Sequence, residues 1–243
     1  MSDRFTEMLR EKFGADAWLR PEPLDTHVFA VKYKLFEVNG LRPHNRQTYD
    51  TPADYQLPID EAQKRPVPTT EWTFLDGGSL FVLAAYECES RRAARAHLLR
   101  LLGGFQGPAA ERVPIAGEIA FAVPHRWTAL MQRGNLVFFA YNGTEALKSV
   151  APILQTIDES LVTERPFIDK FDVHVGPVDP EGQVPLRLLP LADDEWVHIV
   201  ARGGEMRSVD GGDLFFSLMR GKAVLNIARI SPDGVAGVTI EIG

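Results

Sequence analysis

The stretch that decides the fold is residues 118–141, EIAFAVPHRWTALMQRGNLVFFAY. It contains three short apolar runs, EIAFAV (118–123), RWTALMQ (126–132) and LVFFAY (136–141), parted by Pro124-His125 and by Arg133-Gly134-Asn135. Runs of this length bounded by turn residues read as three consecutive antiparallel strands. Upstream, EWTFL (71–75) and SLFVLAAYE (79–87) flank the turn Asp76-Gly77-Gly78. The second run is apolar throughout its centre, as a strand buried on both faces would be.

Two helices accompany these strands. Ser90 can cap RRAARAHLLRLL, in which Ala94, Leu98, Leu101 and Leu102 form one apolar stripe and after which Gly103-Gly104 ends the helix. Arg91, Arg92 and Arg95 are the densest basic group and read as its solvated face. Further on, Leu147, Val150, Leu154, Ile157 and Leu161 recur at helical spacing. Pro152 fits only a first turn, so the regular helix is expected to start near Ser149. The order of residues 118–161, three strands and then a helix ending ILQTIDESL, resembles in layout the end of Mog1/PsbP-like domains. The resemblance covers under a fifth of the chain and implies a non-catalytic binding or assembly factor.

The flanks complete the expected architecture. Phe5, Met8, Leu9, Lys12 and Phe13 follow helical spacing with Gly14 as a stop, giving an amphipathic helix that must dock on its own domain or on a partner. HVFAVKYKLFEV (27–38) reads as a strand closed by Asn39-Gly40. Residues 41–70, punctuated by Pro43, Pro52, Pro58, Pro66 and Pro68, keep neither period and read as one long loop. Beyond a join at Thr163–Pro166 come FDVHVG, VPLRLLP, EWVHIVAR, DLFFSLMR, KAVLNIARI and GVTIEIG, all strand-like. The expected fold class is α+β. Residues 1–165 form a mainly antiparallel sheet with two or three packed helices, and 166–243 a β-rich, sandwich-like module.

Composition narrows function more by exclusion than by pointing. With 243 residues, 45% hydrophobic and 24% charged, the chain can bury an ordinary core. A net charge of −7, from 26 Lys+Arg against 33 Asp+Glu with no basic run, argues against nucleic acid as a partner. Cys88 is the single cysteine, which rules out an intrachain disulfide or a cysteine-built metal site. No apolar run approaches the roughly 20 residues of a spanning helix. The charged start MSDRFTEMLREKFG lacks a signal-peptide core, so cytoplasm is the expected compartment, with periplasm open if a leader has been removed.

No motif assigns chemistry. The six histidines stand singly, with no HxH or HExxH spacing, and neither a phosphate-binding glycine loop nor a GxSxG elbow occurs. No metal or cofactor is therefore expected. Cys88 precedes a helix start but reads first as a core residue. His174 and His198 would have to meet on neighbouring strands to act together. His125-Arg126-Trp127 reads as a turn with an anchoring tryptophan. The stretch that departs most from a plain fold is 41–70. There Arg42, His44, Arg46, Tyr49 and Asp50 set two cations, an imidazole, a phenol and a carboxylate close together, a set suited to a lid or ligand clamp. The expected function is non-catalytic binding or assembly, engaging a protein partner, a second copy or a small ligand. A hydrolase or lyase built around 41–70 is the alternative.

Overall fold

The computed structural model describes residues 4–20, 25–52, 66–104, 110–144, 148–188, 190–209, 213–219 and 221–243. Helices α1 (Arg4–Lys12) and α2 (Ala15–Leu19) precede strand β1 (Thr26–Val31). Strands β2 (Asn45–Thr51), β3 (Val67–Asp76) and β4 (Ser79–Glu87) lead into α3 (Arg91–Gly104). Next come β5 (Glu111–Arg112), β6 (Ile119–Ala122), β7 (Thr128–Arg133), β8 (Leu136–Asn142) and helix α4 (Ala151–Val162). The rest is strand: β9 (Val173–Val175), β10 (Gln183–Leu188), β11 (Trp196–Arg202), β12 (Gly204–Ser208), β13 (Leu214–Leu218), β14 (Ala223–Ser231) and β15 (Gly234–Ile242). The fold is mixed α+β and rich in sheet, and all three sheets are antiparallel. Among the described residues no helix is long and apolar enough to cross a membrane.

Contacts divide the chain into two compact units, Met1–Pro21 with Leu35–Glu159, and Glu22–Lys34 with Ser160–Gly243. The first holds a seven-stranded sheet in the order β2-β3-β4-β8-β7-β6-β5. The three runs that opened the sequence reading are its β6, β7 and β8. One face of the sheet, through Ala84, Tyr86, Ile119, Phe121, Leu130 and Val137, shares an apolar cluster with Leu98, Leu99 and Leu102 of α3. Leu9, Phe13 and Trp18 enter the same cluster, with Phe13 edge-on to Phe121 at 5.5 Å. The N-terminal helix thus docks on its own unit. Gly14, at φ 59°, makes the left-handed turn between α1 and α2.

The other face buries Trp72, Phe74, Leu83, Met131, Leu136 and Phe138. Arg133 looks to that side, opposite Leu136, and grips Asp158 of α4 through two parallel bonds of 2.7 and 2.8 Å. Pro152 sits in the first turn of α4, as its chemistry requires, and the Ser149 hydroxyl accepts from the Ala151 N–H at 3.3 Å. Leu147 lies outside the described residues.

Two expectations are corrected in this unit. Residues 41–70 are not one loop, because 45–51 pair along their whole length with β3, which begins at Val67. Pairing partners supply what the missing periodicity could not. Residues 53–65 lie outside the described residues. Arg91 and Arg95 are not a solvated face either, being 2% and 5% exposed. Arg95 reaches Glu118 at 3.2 Å and the Arg20 carbonyl at 2.7 Å. Glu118 also accepts the Gly134 N–H at 3.1 Å and the Gln132 side-chain amide at 3.4 Å.

The second unit has two four-stranded sheets, β1-β11-β14-β15 and β12-β13-β10-β9. Phe29, Ile199, Leu225 and Ile227 of the first meet Val184, Met206, Leu214 and Phe216 of the second in one apolar cluster. Strand 27–38, expected to open the first sheet, ends at Val31 and pairs instead with β11. Between β11 and β12 the chain passes from one sheet to the other at Gly203. Its φ is +83°, and a Cβ there would press on the Ala223 backbone at 3.1 Å and its methyl at 3.3 Å. Only glycine satisfies both the dihedral and the approach.

Two stability outcomes follow. Gly203→Ala should lower the unfolding free energy by about 2 kcal/mol or more, from left-handed strain plus the clash. A urea midpoint unchanged from wild type would contradict this. Glu118→Ala leaves a buried guanidinium without its carboxylate and should cost about 3–5 kcal/mol by the same measurement. A loss under about 1 kcal/mol, the range of exposed ion pairs, would show that the contact carries little.

Candidate functional site

β2 sorts the residues singled out by sequence. Its odd and even positions face opposite sides of the sheet. Arg46 lies opposite Trp72 and Asp50 opposite Pro68 on one side, while Tyr49 lies opposite Thr69 on the other. Arg42, in the turn before the strand, is exposed and paired with Glu37 at 3.7 Å. His44 is exposed, and its backbone N–H bonds to the Thr73 carbonyl at 2.7 Å. The five residues are therefore neighbours in sequence but do not converge. Only Tyr49 is drawn into a wider group.

That group is built on four adjacent strands. In β3 Glu71 lies opposite Ala84, and Tyr86 lies opposite Thr69. Through β8, Val82 stands opposite Tyr141. Alternation therefore places Tyr49, Glu71, Tyr86 and Tyr141 on one face, the face that carries α3. The Tyr49 phenol hydrogen-bonds to the Glu71 carboxylate. Tyr86 is buried, with its ring centroid 4.6 Å from that of His97, while Tyr49 is 43% exposed. Tyr141 lies against Phe139 at 5.1 Å. Arg100 of α3 borders the group and donates to the Pro52 carbonyl at 2.7 Å.

The electrostatics of the group run one way. Burial pushes the Tyr49 phenol above its ordinary range, and the Glu71 charge and hydrogen bond push it further. Burial and then Glu71 raise Tyr141 in the same manner. Tyr86 is raised more strongly, by burial first and then by Tyr49, with Arg100 opposing. All three phenols keep their protons at neutral pH. They can donate hydrogen bonds, and the carboxylate can accept them.

The other candidates resolve as packing. Cys88 is buried, and burial pushes its thiol well above the ordinary range. It exchanges backbone and side-chain bonds with Asn135. His174 and His198 are not neighbours, since β9 and β11 belong to different sheets. His198 bonds the Leu161 carbonyl and lies 5.8 Å from the Trp196 ring, which in turn meets Tyr33 at 4.8 Å. Trp127 does not anchor its turn. It is 38% exposed and stacks on His125, which itself holds a left-handed φ of 62°. Among the described residues no three His, Cys, Asp or Glu side chains are grouped as a metal set.

Sequence reasoning named Tyr49 but missed Glu71, Tyr86 and Tyr141. Only the strand register connects them, and none lies in a motif. Compared with models of protein families and with curated proteins, the chain matches none.

Two of the buried imidazoles, His97 and His198, are held neutral. Burial pushes His97 down to about 3, with Arg100 adding to it. Burial pushes His198 to about 4 against the opposing bond to Leu161. An unfolded histidine titrates near 6.5, so below that pH the unfolded chain binds protons that the folded chain refuses. Stability from these residues is full above 6.5 and is lost as pH falls toward the folded values. Each should cost up to about 1.4 kcal/mol per pH unit in that window. His97→Leu should flatten the fall in unfolding free energy between pH 6.5 and 4, and an identical slope in the variant would refute the assignment.

Proposed function

We propose that the protein is a non-catalytic binding protein. On this reading a small ligand is received on the sheet face where Tyr49, Tyr86 and Tyr141 gather about Glu71. The observation that carries the proposal is the strand register, which sets three phenols from three different strands on one sheet face with the Glu71 carboxylate, Tyr49 bonded to it. Such a set offers fixed hydrogen-bond donors beside an acceptor, with aromatic faces for contact. It suits a ligand that presents oxygen acceptors together with an N–H or O–H group.

Binding is favoured over catalysis by the direction of the shifts. A general base or nucleophile at neutral pH needs its pKa moved toward 7. Here burial moves the three phenols, the Cys88 thiol and the His97 imidazole away from it. A hydrolase or lyase around residues 41–70 draws less support, because Arg42, His44, Arg46 and Asp50 do not converge with Tyr49. The sandwich-like reading of the C-terminal strands is supported by the apolar cluster that both four-stranded sheets share.

Native mass spectrometry of the full chain, purified from its own host, tests the proposal. The wild-type protein should carry an added mass that the Glu71→Gln variant, purified in the same way, has lost. A bare mass for the wild type, or an adduct that survives both Glu71→Gln and Tyr49→Phe, would overturn it.

A further inference from the structure

β2 is the outer strand of the seven-stranded sheet, hydrogen-bonded on one side to β3. All its residues but Thr51 are exposed. The Arg46 N–H is taken by the Asn45 side chain at 2.9 Å and so is not spent on β3. By alternation the backbone groups of Arg46, Thr48 and Asp50 point away from the sheet, while those of Asn45, Gln47, Tyr49 and Thr51 serve the β3 ladder. A row of outward groups this long is a template for another strand.

The side chains specify which strand. Thr48 is the middle of seven residues, so a two-fold axis beside it pairs the whole of β2 with a second β2 running the other way. In that register, and in no shifted one, Arg46 lies directly opposite Asp50 of the second copy, and Asp50 opposite the second Arg46. Thr48 faces Thr48, and Gln47 faces Tyr49. Within one chain Arg46 and Asp50 sit on the same face about 13 Å apart, too far to pair. Among the described residues neither side chain has an ion-pair partner. A short strand carrying a cation and an anion two residues either side of its centre is complementary to itself.

We infer that the protein associates as a two-fold dimer through β2, joining two seven-stranded sheets edge to edge with Arg46 and Asp50 as reciprocal cross-strand pairs. The inference does not rest on the ligand proposal, since it concerns the opposite face and the edge of the strand. A dimer would nonetheless set Gln47 of each copy beside Tyr49 of the other and so extend the phenol-bearing face.

Sedimentation velocity of the full chain from about 1 to 100 μM spans the affinities expected of a small interface. The wild type should shift from monomer to dimer across that range. Arg46→Asp and Asp50→Arg each set like charges opposite one another twice, and each should weaken association at least about tenfold. The double reversal, Arg46→Asp with Asp50→Arg, restores the complement and should return the wild-type dissociation constant. Thr48→Pro removes an outward N–H without touching the β3 ladder and should leave a monomer with the wild-type circular dichroism spectrum. A wild type that stays monomeric throughout would overturn the inference, as would a dimer that the single reversals leave intact or the double reversal fails to rescue.

Discussion

Burying a carboxylate costs several kcal/mol unless donors replace the lost water, and in Glu118 they come from separate parts of the chain. Arg95 arrives from α3, the Gly134 N–H from the β7–β8 turn and the Gln132 amide from β7. Arg95 then extends to the Arg20 carbonyl beyond α2. One side chain, 7% exposed, therefore fixes the helix against the strands that it covers and ties in the segment that follows the N-terminal helices. Apolar contact alone would let α3 slide along the sheet. A charge with fixed donors does not allow that.

Local pattern made much of this unit legible. Strands β6 to β8, the doubly buried β4 and the start of α4 at a tolerated proline were all readable from apolar runs and turn residues. Arg91 and Arg95 were misread because charge normally marks solvent. Arg95 is buried against Glu118, which stands 23 residues beyond it, and no window links the two. β2 was missed for a related reason. NRQTYDT has no apolar alternation, because an edge strand with both faces open has nothing to bury. β12 was passed over likewise, being held mainly by Met206 and by its partner β13.

The candidate site shows the same limit. Tyr49, Glu71, Tyr86 and Tyr141 are scattered over more than ninety residues and meet only through antiparallel register. Shift β3 by one residue and Glu71 crosses to the other face of the sheet. The sequence reading reached Tyr49 because polar residues crowd 41–50, yet four of the five residues chosen there proved to point elsewhere. Proximity in sequence is weak evidence of proximity in a sheet, where successive side chains diverge by construction.

The pairing of β1 with β11 also governs the order of events during synthesis. Thr26 is made well before its partner Arg202, which emerges only after the entire seven-stranded sheet has been translated. Through that interval the apolar run Val28-Phe29-Ala30-Val31 has no ladder to join, while the elements on both sides of it can already close into the first unit. Long-range pairings of this kind are slow to form and leave strands open to misassociation. The newborn chain therefore carries an unsatisfied sticky segment until β11 is made, and anything that stalls the ribosome before residue 202 leaves that segment without its native partner.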